Sequence, residues 1–340
     1  MDPITQGLVG ATASQLVSPR KQKLSAAGLG IASGMAADLD VLFKSSIDPL
    51  LFLEYHRHFT HALLFIPVGG FLCALAHRLI FRRCRLSFLT VYLYCIAGYA
   101  THALLDACTS YGTQLLWPFS DARIAWDIIS VVDPLFTLPI LILIVLAIAK
   151  NRTRFTVAAA LYGFMYLGLG AIQNERVSKV AHKLAVERGH TPINLSVKPS
   201  FGNIVVWKSI YEHDNSYYVD AIRSVVDTRV YGGTSVEKLS FNKHFPWLDE
   251  VSQQARDIER FRWFSNDHLG LDPSNTNRVI DIRYSLIPNQ VTGLWGITLD
   301  PQADNHTHVM WTTNRPRGAK AMLKLAELWQ LIKGADLSPN

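Results

Sequence analysis

Long apolar runs fill the chain between Leu24 and Ile172, whereas the sequence after Asn174 mixes polar and apolar residues as soluble domains do. A bilayer core ~30 Å thick is crossed by about 20 helical residues. We therefore expect about five membrane spans, at residues 24–43, 59–81, 86–105, 133–149 and 155–172. The chain is predicted to be a polytopic α-helical membrane domain, residues 1–173, followed by a soluble domain, residues 174–340.

Two further predictions complete this architecture. Residues 4–17 are too few to span a bilayer upright, and they suit either a half-helix packed in the bundle or a helix lying at the interface. The soluble half predicts an α+β fold, because helical and strand-like patterns alternate along it. We expect helices at 175–188, 247–264 and 319–332, and strands at 204–211, 217–226, 279–286, 294–299 and 308–313.

The charge distribution predicts how the membrane domain is oriented. The net charge is +6, but the basic residues are spread over short loops, which favours membrane topology over nucleic-acid binding. The positive-inside rule places three loops in the cytoplasm, namely those with Arg20, Lys21 and Lys23, with Arg82, Arg83 and Arg85, and with Lys150, Arg152 and Arg154. The other side is then expected to hold loops 44–58 and 106–127 and an extracytoplasmic C-terminal domain.

Ten ionisable residues of the apolar half gather at the helix ends on that second side. They are Asp38, Asp40, His56, Arg57, His58, His61, His102, Asp106, Asp127 and Asp133. His102 and Asp106 are four residues apart and share one helix face. A carboxylate inside a membrane needs a partner or a water-filled cavity. Carboxylates together with imidazoles suit zinc better than calcium, which prefers oxygen ligands.

We therefore predict a site for a divalent metal, with zinc the best match to these donors. The predicted ligands are Asp40, His58, His61, His102 and Asp106. Asp38 and Asp127 are predicted to act outside the coordination sphere, as a catalytic base or as groups that orient an imidazole. A bound metal lowers the pKa of a coordinated water molecule, so the predicted chemistry is hydrolysis.

Several of these residues also fit a structural role. Asp133 precedes a proline, as a helix N-cap does. His56 and Arg57 fit interfacial anchors, and Asp127 fits a solvated loop residue. Loop 109–113, with its hydroxyls and its glycine, suits either an anion such as phosphate or a surface turn. The histidines of the soluble half are expected at the surface, at His213, His244, His268, His306 and His308.

Four motifs follow one another along about the first 150 residues. They are Met1-Asp2-Pro3-Ile4-Thr5, Asp38-Leu39-Asp40, His58-Phe59-Thr60-His61 and His102-Ala103-Leu104-Leu105-Asp106-Ala107-Cys108-Thr109-Ser110-Tyr111-Gly112-Thr113. Together they resemble the YdjM-like family of bacterial inner-membrane, metal-dependent hydrolases. The resemblance implies a multi-pass protein of the bacterial inner membrane with a metal site on the residues named above. Some members of the family carry histidine where this chain has Gln6, which removes one candidate ligand.

The function predicted from these observations is hydrolysis of an ester or phosphoester at the membrane surface. Membrane lipids are the expected surroundings, and a lipid or lipid-linked substrate is expected because such a site meets headgroups first. One rival is a proton- or ion-coupled transporter that uses the same Asp and His residues, which predicts charged groups deep in the spans. Another is a noncatalytic scaffold whose metal is structural, with every coordination position closed by protein ligands.

Overall fold

The computed structural model of the chain describes residues 1–81 and 85–335. Arg82 and Arg83, which support the predicted topology, therefore lie outside the described residues. The chain forms two compact units, the first of residues 1–43, 55–172 and 201–203 and the second of residues 44–54, 173–200 and 204–340. Segment 44–54, which the predicted boundary assigns to the membrane domain, belongs to the second unit.

The described chain before the first strand is helical. Its helices are α1 Pro3–Leu16, α2 Lys23–Ala36, α3 Leu51–Tyr55, α4 Ile66–Ile80, α5 Phe88–Ala107, α6 Pro134–Ala149 and α7 Thr153–Glu187. Short 3-10 helices occur at Arg20–Gln22, Ala37–Leu42, Phe59–His61 and Leu63–Phe65. The Asp133 side chain accepts the backbone N–H of Leu135 at 3.1 Å, which confirms its N-cap role at α6.

The segment predicted as the first span, residues 24–43, is not one continuous helix. Helix α2 ends at Ala36 and continues as a 3-10 helix, and α2 packs closely against α1. A Cβ atom added at Gly10 would lie 2.4 Å from the carbonyl oxygen of Gly30. Small residues along α1 and α2 therefore bring the two backbones together, as they do in membrane helix pairs.

Three helices of the described chain are long and apolar enough to cross a membrane. They are Leu63–Ile80, Phe88–Ala107 and Thr153–Glu187. Pro134–Ala149 is apolar as well but shorter. The separate helices predicted at 155–172 and 175–188 are one helix of 35 residues, because no proline or glycine lies between Ile172 and the end of the helix at Glu187. The structure thus contains an apolar helical region with three candidate spans, and the predicted count of about five stays a prediction.

The second unit contains two antiparallel sheets and three further helices. The first sheet has the order β1-β2-β3-β4, with β5 also pairing with β3, and the second has the order β6-β7-β8-β9. The strands are β1 Ile193–Pro199, β2 Val206–His213, β3 Ser216–Ser224, β4 Thr228–Tyr231, β5 Ser235–Glu237, β6 Leu269–Asp272, β7 Asn275–Asp281, β8 Trp295–Thr298 and β9 Met310–Thr313. The helices are α8 Phe241–His244, α9 Gln253–Phe264 and α10 Gly318–Lys333. This is the predicted α+β class.

One face of the first sheet packs on two neighbours. Val206 and Ala221 pack with Leu328 and Leu331 of α10, and further along the same face Ile210 and neighbouring residues pack with the second sheet. The prediction that the histidines here lie at the surface is wrong for His268, which is buried. Its ring stacks on that of Tyr217, with the two centroids 5.5 Å apart.

Candidate metal centre

Four side chains from three parts of the first unit meet in one cluster, the Asp/His cluster of Asp38, His61, His102 and Asp106. Asp38 follows α2, His61 ends the Phe59–His61 turn, and the other two lie one helical turn apart on α5. One ligand atom from each of the four lies within 4.8 Å of the others. The helix ends that the sequence predicted to converge therefore do converge at these four positions.

The distances inside the cluster suit a tetrahedral metal ion. The Nε2 atoms of His61 and His102 lie 3.6 and 3.3 Å from Oδ1 of Asp38. The same two nitrogens lie 3.4 and 3.7 Å from Oδ2 of Asp106. Metal–ligand bonds of about 2.0–2.2 Å in a tetrahedron place neighbouring ligand atoms about 3.3–3.6 Å apart. The four separations between an imidazole nitrogen and a carboxylate oxygen are therefore close to the edge lengths of such a site.

Both imidazoles are oriented through their other ring nitrogen. Nδ1 of His102 donates to the carbonyl oxygen of Gly34 at 2.5 Å, and Nδ1 of His61 lies 3.2 Å from Oδ2 of Asp40. Both Nε2 atoms then point into the cluster. These two nitrogens and Oδ2 of Asp106 are buried and have no hydrogen-bond partner among the described residues. Metal-binding histidines are held in this way by carboxylates and carbonyl oxygens. The residues present fit a divalent metal.

Asp40 holds the loop that carries His61. Its buried carboxylate accepts the backbone N–H of Arg57 at 3.0 Å and the hydroxyl of Thr60 at 2.8 Å. It also lies 2.7 Å from Nδ1 of His56. Asp38, Asp40 and His56 form a second group of neighbouring ligand atoms, but the Asp40 oxygens already accept these hydrogen bonds.

The geometry thus favours the reverse of the predicted roles for the two aspartates. We expected Asp40 as a ligand and Asp38 as a supporting carboxylate, whereas Asp38 faces the two imidazoles and Asp40 lies behind one of them. The physical reason is that residues two apart on a helical turn point in different directions, so the turn Ala37–Leu42 directs only one of the two carboxylates towards both imidazoles.

His58 and Asp127 are not part of the Asp/His cluster. The ring of His58 packs among aromatic side chains, with its centroid 5.2 Å from that of Trp117. Asp127 is half-buried and adopts a positive φ of 54° in the loop after α5. The predicted ligand role of His58 and the predicted catalytic role of Asp127 therefore find no support in this arrangement and stay predictions.

Three residues that the sequence did not assign to the metal site lie against Asp106. Gln6 donates through Nε2 to Oδ1 of Asp106 at 2.9 Å, and the Met1 amine donates to the same oxygen. Nε of Arg57 lies 3.1 Å from Oδ2 of the same carboxylate. Arg57 is only 4% exposed, so the expectation that it is an interfacial anchor is wrong. A signal was available, since an arginine between two histidines next to an apolar segment needs a buried counter-charge.

Comparison with known proteins gives partial matches. A family model described as YdjM inner membrane protein matches residues 1–177, just over half of the chain. Inner membrane protein YbcI of Escherichia coli (strain K12) is 40% identical over 116 residues, covering 30% of this chain and 60% of that protein. Uncharacterized protein YfhP of Bacillus subtilis (strain 168) is 28% identical over 105 residues, covering 31% of each protein. The chain therefore spans less than two thirds of either relative. No solved structure matches it.

Proposed function

The chain belongs to the YdjM inner membrane protein family, and from this premise we propose that it is a membrane-bound, metal-dependent hydrolase of ester or phosphoester bonds. The family and the apolar helices support a location in the inner membrane. Zinc is the metal that we propose, because two imidazoles and two carboxylates are a donor set that zinc accepts readily.

One observation carries this proposal. Two buried imidazole nitrogens and two carboxylate oxygens face one another without a hydrogen bond among the described residues to join them. When bound, a divalent metal supplies Lewis acidity, which polarises the bond to be broken and lowers the pKa of a water molecule. The protein's own contribution is to fix three of the four donors, namely His61 through Asp40, His102 through Gly34 and Asp106 through Gln6.

The site is open on the side of Asp38. The Asp38 side chain is 24% exposed, whereas those of His61, His102 and Asp106 are fully buried. A substrate can therefore approach past Asp38, and a catalytic site needs such an open position. We propose that this substrate is a lipid or a lipid-linked molecule, since a site at the ends of apolar helices meets headgroups. We further propose that the C-terminal domain is extracytoplasmic.

Metal content is the direct test. We expect detergent-purified protein to contain close to one equivalent of zinc or a similar metal by elemental analysis, and we expect the His102→Ala, Asp106→Ala double variant to lose it. His77→Ala is a matched control, because His77 lies on α4 outside the Asp/His cluster. A folded wild type that holds no metal, even after zinc is added, would contradict the proposal and favour the transporter hypothesis.

A further inference from the structure

Arg57 lies beside the Asp/His cluster as a buried cation. Its side chain is 5% exposed, and arginine is rarely buried unless a partner accepts its charge. Its Nη1 donates to the hydroxyl of Thr109 at 3.3 Å, and its guanidinium lies over the ring of Tyr111, 5.0 Å from the centroid. Thr109 in turn donates to the carbonyl oxygen of Asp106. The guanidinium is thus held in one position at the cluster.

The backbone of Arg57 is also held in an unusual conformation. Its φ of 65° lies in the left-handed region, which costs a residue other than glycine of order 1 kcal/mol. The N–H of Arg57 donates to Asp40 at 3.0 Å, and its carbonyl oxygen accepts from the backbone N–H of Gln114 at 3.1 Å. These two bonds fix a conformation that turns the side chain towards the metal donors.

The guanidinium keeps donor capacity at the cluster. Nε lies 3.1 Å from Oδ2 of Asp106 but in a geometry that forms no hydrogen bond, so Nε is a buried donor without an acceptor in the described part of the chain. In a loaded site the carboxylates of Asp38, Asp40 and Asp106 would face one dication, this guanidinium and the Met1 amine that donates to Asp106. These positive groups offset the three negative charges, so an anion can enter the site next to a fixed positive charge.

We propose that Arg57 binds a non-bridging oxygen of a phosphoryl group, so that the substrate is a phosphoester rather than a carboxylic ester. This inference rests on the proposed hydrolase function and narrows its substrate class. A planar guanidinium matches phosphate oxygens in geometry and charge, whereas a neutral carboxylic ester offers it no charge. In the reaction a P–O bond forms to water, the P–O bond to the leaving alcohol breaks, and a water proton ends on that alcohol oxygen.

Binding of inorganic phosphate to the zinc-loaded, detergent-purified protein tests the inference. Calorimetry measures phosphate affinity, and elemental analysis of the same samples measures zinc. We expect Arg57→Gln to keep its zinc and to bind phosphate about 10- to 100-fold more weakly, as expected for loss of one charge-assisted contact. We expect the phosphate affinity of Arg57→Lys to lie between those of the wild type and Arg57→Gln, because lysine keeps the charge and loses the planar shape. Arg78→Gln on α4 is the matched control and should bind as the wild type does.

Three results would overturn the inference. Wild type that holds zinc but no phosphate would remove the anion site and leave the metal-dependent function standing. Arg57→Gln that holds zinc and binds phosphate as tightly as the wild type would reduce Arg57 to a counter-charge for Asp106. Loss of zinc from both the Gln and the Lys variants would show that Arg57 only builds the metal site. Absence of zinc from the wild type is distinct, because it removes the proposed function itself.

Discussion

Replacing Asp40 by asparagine tests the arrangement behind the proposed metal ligands. The substitution keeps the size of the side chain and removes its charge. One of the two carboxylate oxygens becomes an amide NH2 group, so one acceptor oxygen is lost from the two that face Nδ1 of His56, the N–H of Arg57 and the Thr60 hydroxyl. Every remaining contact changes from a charged to a neutral hydrogen bond.

Two estimates of the effect agree. Charge-assisted hydrogen bonds contribute about 1.5–3 kcal/mol each and neutral ones about 1 kcal/mol. Weakening several of them should therefore destabilise the loop that carries His61 by about 2–3 kcal/mol. Loss of the outer partner of a metal-binding histidine lowers metal affinity about 10- to 100-fold, which is about 1.4–2.8 kcal/mol. We therefore expect Asp40→Asn to bind zinc about 10- to 100-fold more weakly than the wild type.

A competition titration against a chromophoric zinc chelator measures this affinity, with Asp38→Asn beside it. Because Asp38 faces both imidazoles directly, its substitution replaces a charged carboxylate at the metal by a neutral amide and should reduce zinc affinity more than Asp40→Asn does. Asp121→Asn, in the exposed part of the loop after α5, is the control and should have no effect. The assignment of roles is refuted if Asp40→Asn binds zinc as the wild type does, or if it loses more affinity than Asp38→Asn.

Two further predictions concern stability. A Cβ at Gly10 would lie 2.4 Å from the Gly30 carbonyl oxygen, so Gly10→Ala should destabilise the bundle by about 1–3 kcal/mol and lower its Tm in detergent. Gly28→Ala is the control, because a Cβ there would meet nothing within 4 Å. Equal Tm values for the two variants would contradict the close packing of α1 and α2. Burial, helped by the nearby charge of Arg283, lowers the pKa of His268 from 6.5 to about 4. The unfolded chain therefore binds a proton below pH 6.5 that the folded chain does not, and stability should fall by about 3 kcal/mol between pH 6.5 and pH 4. Denaturant unfolding of the full chain, followed by circular dichroism at several pH values, measures the free energy of unfolding. His268→Gln should reduce the fall of this free energy between about pH 6.5 and pH 4, and an unchanged fall would exclude His268 as its source.

The sequence predicted the class of each half and most members of the cluster, for reasons that can be stated residue by residue. His102 and Asp106 were predictable because a helical spacing of four fixes their common face. The choice between Asp38 and Asp40 was not, because it depends on a 3-10 conformation that two neighbouring aspartates do not encode. Strands β1, β4, β5 and β6 were missed because three of them have only three or four residues, and the seven-residue β1 is partly exposed and contains a proline.

The orientation of the two imidazoles also bears on whether the cluster holds a metal or relays protons. A carbonyl oxygen only accepts hydrogen bonds, so Nδ1 of His102 must carry the hydrogen that it donates to Gly34. Its Nε2 is then an acceptor in the neutral ring, and it faces the carboxylate oxygens of Asp38 and Asp106, which are acceptors as well. Acceptors that face one another in a buried site repel unless a cation lies between them. A proton on Nε2 would draw the carboxylates to about 2.7–2.9 Å, the length of a charged hydrogen bond, whereas the observed separations to Nε2 are 3.3 and 3.7 Å. Those longer separations are the ones that a shared divalent ion requires, and they favour the metal site over a proton relay.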